Sequence, residues 1–195
     1  MSTAVFEPVP PVPDLPRQYT PEDLLTMPDG NRFELIDGQL VERNMGAESS
    51  LVAANTITLL RGYSRSQKRG RVFATDCGYQ IFPDKPKRVR FPDGSFVDSG
   101  RLPDDKPPPG HMRIPPDLAA EVVWPKDTAE EVEAKRLDFH RAGVRLLWII
   151  YPENKSVHVY RQAGPPSILG PDDELSGEDV LPGFVCKVAE LFEGM

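Results

Sequence analysis

Two short apolar runs constrain this chain more than any other feature. Residues 118–124 read LAAEVVW and residues 144–151 read VRLLWIIY. Neither alternates as a half-exposed strand does, and both read as strands covered on two faces. Between them, residues 128–141 carry a helix pattern, opened by the capping-box pair Thr128 and Glu131 and ended by Gly143. Strand, helix and strand at this length make a βαβ unit, whose strands pair in parallel. Upstream, Asp37 and Gly38 supply the turn of a hairpin over 33–42, and downstream a turn at 152–155 leads into a strand over 156–161. The expected fold class is therefore α/β (α+β), a mixed β-sheet flanked by helices.

The rest of the chain is read around that unit. Residues 1–18 hold Pro8, Pro10, Pro11, Pro13 and Pro16 with little to bury, so a disordered tail is expected at 1–18 and a single domain over 19–195. Thr20 and Pro21 start a short helix, and residues 50–63 have the spacing of a core-packed one. Strands are expected within 71–82 and over 91–97, and a short helix near 185–192. Residues 103–116 contain six prolines and Gly110 and are expected to be mobile.

Composition excludes several classes. With 39% hydrophobic and 27% charged residues the chain is globular, and it has no apolar stretch of membrane-spanning length. Cys77 and Cys186 fit no metal spacing and, with no signal-peptide pattern at the start, a cytoplasmic location is expected. His111, His140 and His158 read as surface residues, and no Gly-x-Ser-x-Gly elbow supports triad chemistry. The net charge of -7 is unevenly spread: residues 61–90 hold nine basic residues against Asp76 and Asp84. Such asymmetry suits either a phosphate-tracking surface or a solvated basic face.

Glu121 breaks the first apolar run, and a carboxylate there is costly without a cation or hydrogen bonds to compensate it. By strand parity Glu121 shares its face with Ala119 and Val123, while Asp93 shares a face with Ser95 and Val97. If the two strands are neighbours, the carboxylates converge. Lys135 lies one helix away, at the margin of the stripe formed by Val132 and Phe139, with Arg136 on the other margin. Two acids and a lysine suit a divalent metal that activates water against a phosphodiester. Glu34, in the first hairpin, is a further candidate to hold a ligand or water.

Taken in order, the segments FELIDGQLV (33–41), RFPDGSFV (90–97) and PDLAAEVV (116–123), then Asp127, Thr128, Lys135, AGV (142–144) and LWIIYP (147–152), resemble the Uma-two family of endonucleases. That family lies within the PD-(D/E)XK, restriction-endonuclease-like superfamily, and the resemblance covers residues 19–192. It implies a restriction-endonuclease-like core, a magnesium-dependent nuclease site in which manganese can substitute, DNA as partner, and often a homodimer. Asp93 matches the acid of the Pro-Asp motif, Glu121 the second acid, and Glu34 the acid of the leading hairpin; Asp93 and Glu121 are the implied metal ligands. The superfamily's lysine position falls on Val123, and the family's relocated lysine on Lys135. Gly94 in place of an aliphatic, Trp124 in place of a small residue and the added acid Asp98 depart from the pattern. The alternative is a catalytically silent binding module on the same fold.

Overall fold

The computed structural model describes residues 17–44 and 46–195, so the tail expected over 1–18 lies almost wholly outside the described residues. Helix α1 (Pro21–Thr26) is closed at its start by Thr20, whose hydroxyl accepts the Asp23 amide while the Asp23 carboxylate accepts the Thr20 amide. Strands β1 (Phe33–Ile36) and β2 (Gln39–Glu42) form the hairpin. Its turn needs left-handed backbone at two positions, supplied by Asp37 at φ 50° and Gly38 at φ 86°. The long helix α2 (Ala47–Ser66) follows.

The central sheet has six strands: β3 (Arg71–Ala74), β4 (Gly94–Val97), β5 (Leu118–Val122), β6 (Leu146–Tyr151), β7 (Ser156–Arg161) and β8 (Ser167–Leu169), in that spatial order. Among the described strands of this sheet only β5 and β6 pair in parallel, and both are interior, in keeping with their apolar character. Their crossover is α3 (Ala129–Arg141), capped by Thr128 and Glu131. The mixed sheet flanked by helices agrees with the expected fold class.

Strand parity sorts the core. Leu118, Ala120, Val122 and Trp148 face α2 and the chain's last segment, from Leu175 to Phe192. Ala119, Leu147 and Ile149 face the other way, beneath Phe139 of α3.

Four expectations are corrected. Residues 185–192 are not a helix throughout: β10 (Val185–Lys187) pairs antiparallel with β9 (Glu174–Ser176), and only then does a 3-10 turn run over Val188–Phe192. The proline loop is tied down in its second half, because Met112 is buried beside Tyr79 and exchanges backbone bonds with Gly78 and Gln80. His111 is not a surface residue; it is buried, its Nε2 bonded to the Pro21 carbonyl and its ring edge-on to Phe91. The basic run of 61–90 is not one surface either, since Arg88 and Arg90 are buried and Arg69 and Arg71 are paired with Asp98 and Asp105. No helix among the described residues is long and apolar enough to cross a membrane.

Candidate active site

Strand register brings the two acids together. In the antiparallel ladder of β4 and β5, Gly94 faces Ala120 and Ser95 faces Ala119. Asp93 stands one residue before β4 begins, at the end of that ladder nearest Glu121, and its charge acts on the Glu121 carboxyl. Asp93 is also fixed from the side: its Oδ2 accepts the Val122 amide at 2.8 Å. Glu121 is buried, and its Oε2 accepts Lys135 Nζ at 3.1 Å. Lys135 reaches it from α3, so the βαβ unit itself supplies both partners.

Glu34 closes the group from β1, but its oxygens are already engaged. Oε1 accepts the Phe91 amide at 3.1 Å and Oε2 accepts Arg90 Nη1 at 2.6 Å. Arg90 turns its other edge to Asp138 on α3, with Nε at 2.9 Å and Nη2 at 2.7 Å from the same oxygen. Arg88 bonds the second oxygen of Asp138 and, at 2.6 Å, Asp37 in the hairpin turn. A buried chain of alternating charge thus ties the β1–β2 hairpin to α3. Sequence reasoning missed Arg88, Arg90 and Asp138. The spacing was visible, two arginines flanking Val89 and an acid one helical turn beyond Lys135, but nothing in it showed that they meet.

The charges shift one another. Burial pushes the Glu121 carboxyl up to about 7, against the opposing pull of Lys135, and the negative charges of Asp93 and Glu34 add to the rise. Burial also raises Asp93 above the usual carboxylate range, with Lys135 and the Val122 amide opposing. For Glu34 burial is outweighed by Lys135, Arg90 and the Phe91 amide, which lower it. Burial disfavours the Lys135 ammonium, but Glu121, Glu34 and Asp93 prevail and raise it above the ordinary lysine range.

A divalent cation fits this donor set. The buried Glu121 Oε1 has no hydrogen-bond partner among the described residues, an arrangement that calls for a cation or a proton. Among the described residues no three His, Cys, Asp or Glu side chains are gathered for a metal. Two carboxylates with water completing the shell are what magnesium usually accepts from a protein. The Asp93 side opens to a cleft of about 270 Å³, also lined by Arg43, Lys126, Asp127 and Lys135. The departures in sequence leave this cleft intact. Trp124 packs beside Gly46, where a Cβ would stand 2.7 Å from its Nε1, and does not line the cleft. Gly94 holds its place in the ladder. Asp98 lies off the cleft, bound to Arg69.

Residues 21–189 match the Uma2 family, described as "Putative restriction endonuclease". Among solved structures, the chain is similar to one titled "a putative nuclease belonging to DUF820 from Anabaena variabilis". The TM-score is 0.73 at 20% identity, and the match covers 89% of this chain and 97% of that one. At that identity the likeness shows the fold. No curated protein matches the sequence.

Proposed function

The chain belongs to the Uma2 family of restriction-endonuclease description, and from that membership we propose that it is a metal-dependent endonuclease hydrolysing phosphodiester bonds of DNA. The observation that carries the reading is the buried oxygen of Glu121 that has no partner among the described residues, with the Asp93 charge acting on the same carboxyl and Lys135 bonded to its other oxygen. Asp93 and Glu121 would hold magnesium or manganese. Bound there, the ion would supply an acidified water and neutralise charge on the phosphate oxygens.

The chain's own residues have distinct work. The Val122 amide fixes one oxygen of Asp93 and so orients the other. Lys135, kept charged by three carboxylates, stabilises negative charge as it grows on the phosphoryl oxygens. Glu34 is a positioning residue: with both oxygens engaged it holds Phe91 and Arg90, which flank the Pro-Asp corner. Arg43 and Lys126 at the cleft offer positive charge to the flanking phosphates. The homodimer implied by the resemblance belongs to the same proposal, as two clefts would address two strands.

Nicking of supercoiled plasmid tests the reading. We expect cleavage with magnesium or manganese, none in chelator, and none from Asp93→Asn or Glu121→Gln at unchanged fold. Purified protein that cleaves no DNA with either metal would leave the silent binding module in its place.

A further inference from the structure

Beside the cleft, with Asp127 in the wall of both, lies a second cavity, of about 570 Å³, to which the proposed metal chemistry assigns no part. It exists because the first turns of α3 are mostly acidic or small and leave the ends of β5, β6 and β7 uncovered. Its walls are aromatic: Trp124, Tyr151 and Tyr160 line it, all half-buried. Tyr151, His158 and Tyr160 continue as a row, with ring centroids 4.5 Å and 6.5 Å apart. Glu48, Glu133 and Glu153 line the same cavity, Glu133 with both oxygens bonded by Arg136 and Glu48 and Glu153 exposed.

Aromatic walls with carboxylates select a flat ligand that donates hydrogen bonds. A phosphate is repelled here. A free organic cation competes with residents, since Lys126 Nζ already stands 5.0 Å from the Trp124 ring and the Arg136 guanidinium 5.2 Å from that of Tyr160. A nucleobase meets all the conditions: it stacks on aromatic rings, and the amino groups of cytosine, adenine and guanine donate to carboxylates. The volume lies in the range of small-molecule sites. Asp127 lines both this cavity and the cleft, so a base in one places its phosphate near the other.

We propose that this cavity is a nucleobase site, taking an unpaired base that bears an exocyclic amine and directing the neighbouring cleft to single-stranded or frayed nucleic acid. The inference rests on the nuclease reading for the phosphate that follows the base, and on the cavity alone for the base.

Binding in chelator, where no cleavage occurs, tests it. The probes are a short oligodeoxycytidylate, an oligothymidylate and an abasic strand of equal length, and a duplex. The cytosine strand is expected to bind about tenfold tighter than the abasic one, the effect of one stacked base. It should also bind tighter than the thymine strand and the duplex. It should quench emission from Trp124, while Trp148, fully buried, stays unquenched. Tyr160→Ala and, independently, Trp124→Ala should abolish the preference. Equal binding of cytosine and abasic strands by the wild-type protein would overturn the proposal without need of a variant. So would a dimer that Trp124→Ala dissociates, which would make the cavity an interface between copies. Base-dependent binding without metal-dependent nicking would defeat the nuclease reading and keep the base site; nicking without base dependence would do the reverse.

Discussion

Glu121 is buried, yet among the described residues only one of its oxygens has a partner. Such a group resists ionisation, and a cation that binds the folded chain alone should stabilise it through mass action. Adding manganese at about 100 times its dissociation constant should therefore raise stability by about 2.7 kcal/mol, measured by calorimetry. Asp93→Asn should lose that increment. Lys135→Ala should keep it while turnover falls, because its proposed interaction is with the transition state. An equal increment in wild type and Asp93→Asn would refute the assignment of ligands. Gly94 makes a separate case. A Cβ there would meet Ile57 and Ala120 only at ordinary contact, 3.6 Å and 3.8 Å, and its φ is not left-handed. Gly94→Ala should then stabilise the strand by about 0.5–1 kcal/mol, read as a rise in Tm; a fall would show that α2 needs the space.

At the scale of elements, the chain Glu34–Arg90–Asp138–Arg88 joins a hairpin and a helix that share no sheet. Arg90→Met would leave Glu34 buried without the cation bonded to it and Asp138 with Arg88 alone, a loss of about 3–5 kcal/mol, seen in urea unfolding. The site should suffer as well, since Glu34, which holds the Phe91 amide, loses its bond to Arg90 and with it the link to α3. A variant as stable as wild type would mean that the network is incidental. This network also marks where sequence reading stops. The parity that set Glu121 beside Ala119 and Val123 was legible, because a strand two faces deep in apolar residues tolerates little ambiguity. Lys135 was legible in position but not in role: Arg136 flanked the same stripe, and only the fold shows it turned to Glu133 and Tyr160. Arg88 and Arg90 were read within a basic run, because charge in sequence gives no sign of the partners that bury it. The strands β9 and β10 escaped notice because three residues each, among Pro and Gly, carry no period.

Across the whole molecule, the last segment closes the core against α2. Tyr63 Oη donates to the Pro182 carbonyl at 3.0 Å and Asn55 Nδ2 to the Leu191 carbonyl at 3.1 Å. Leu175, Leu181, Phe184, Leu191 and Phe192 are buried there, each worth about 1.5–3 kcal/mol. Together they match the whole stability of a typical domain, about 5–15 kcal/mol. Deleting residues 171–195 should therefore abolish cooperative unfolding in circular dichroism. Deleting residues 1–18 should leave Tm unchanged, if 19–195 is the folding unit that the composition of the tail suggests.

The Val122 amide donates not to a neighbouring strand but to the carboxylate of Asp93. Its proton therefore sits one hydrogen bond away from a proposed ligand of the ion, while belonging to an interior strand of the sheet. In a nitrogen-15 correlation spectrum this single backbone resonance should move when an ion arrives, ahead of any loop. Occupancy could then be titrated without substrate, dye or turnover, by a probe the main chain already contains.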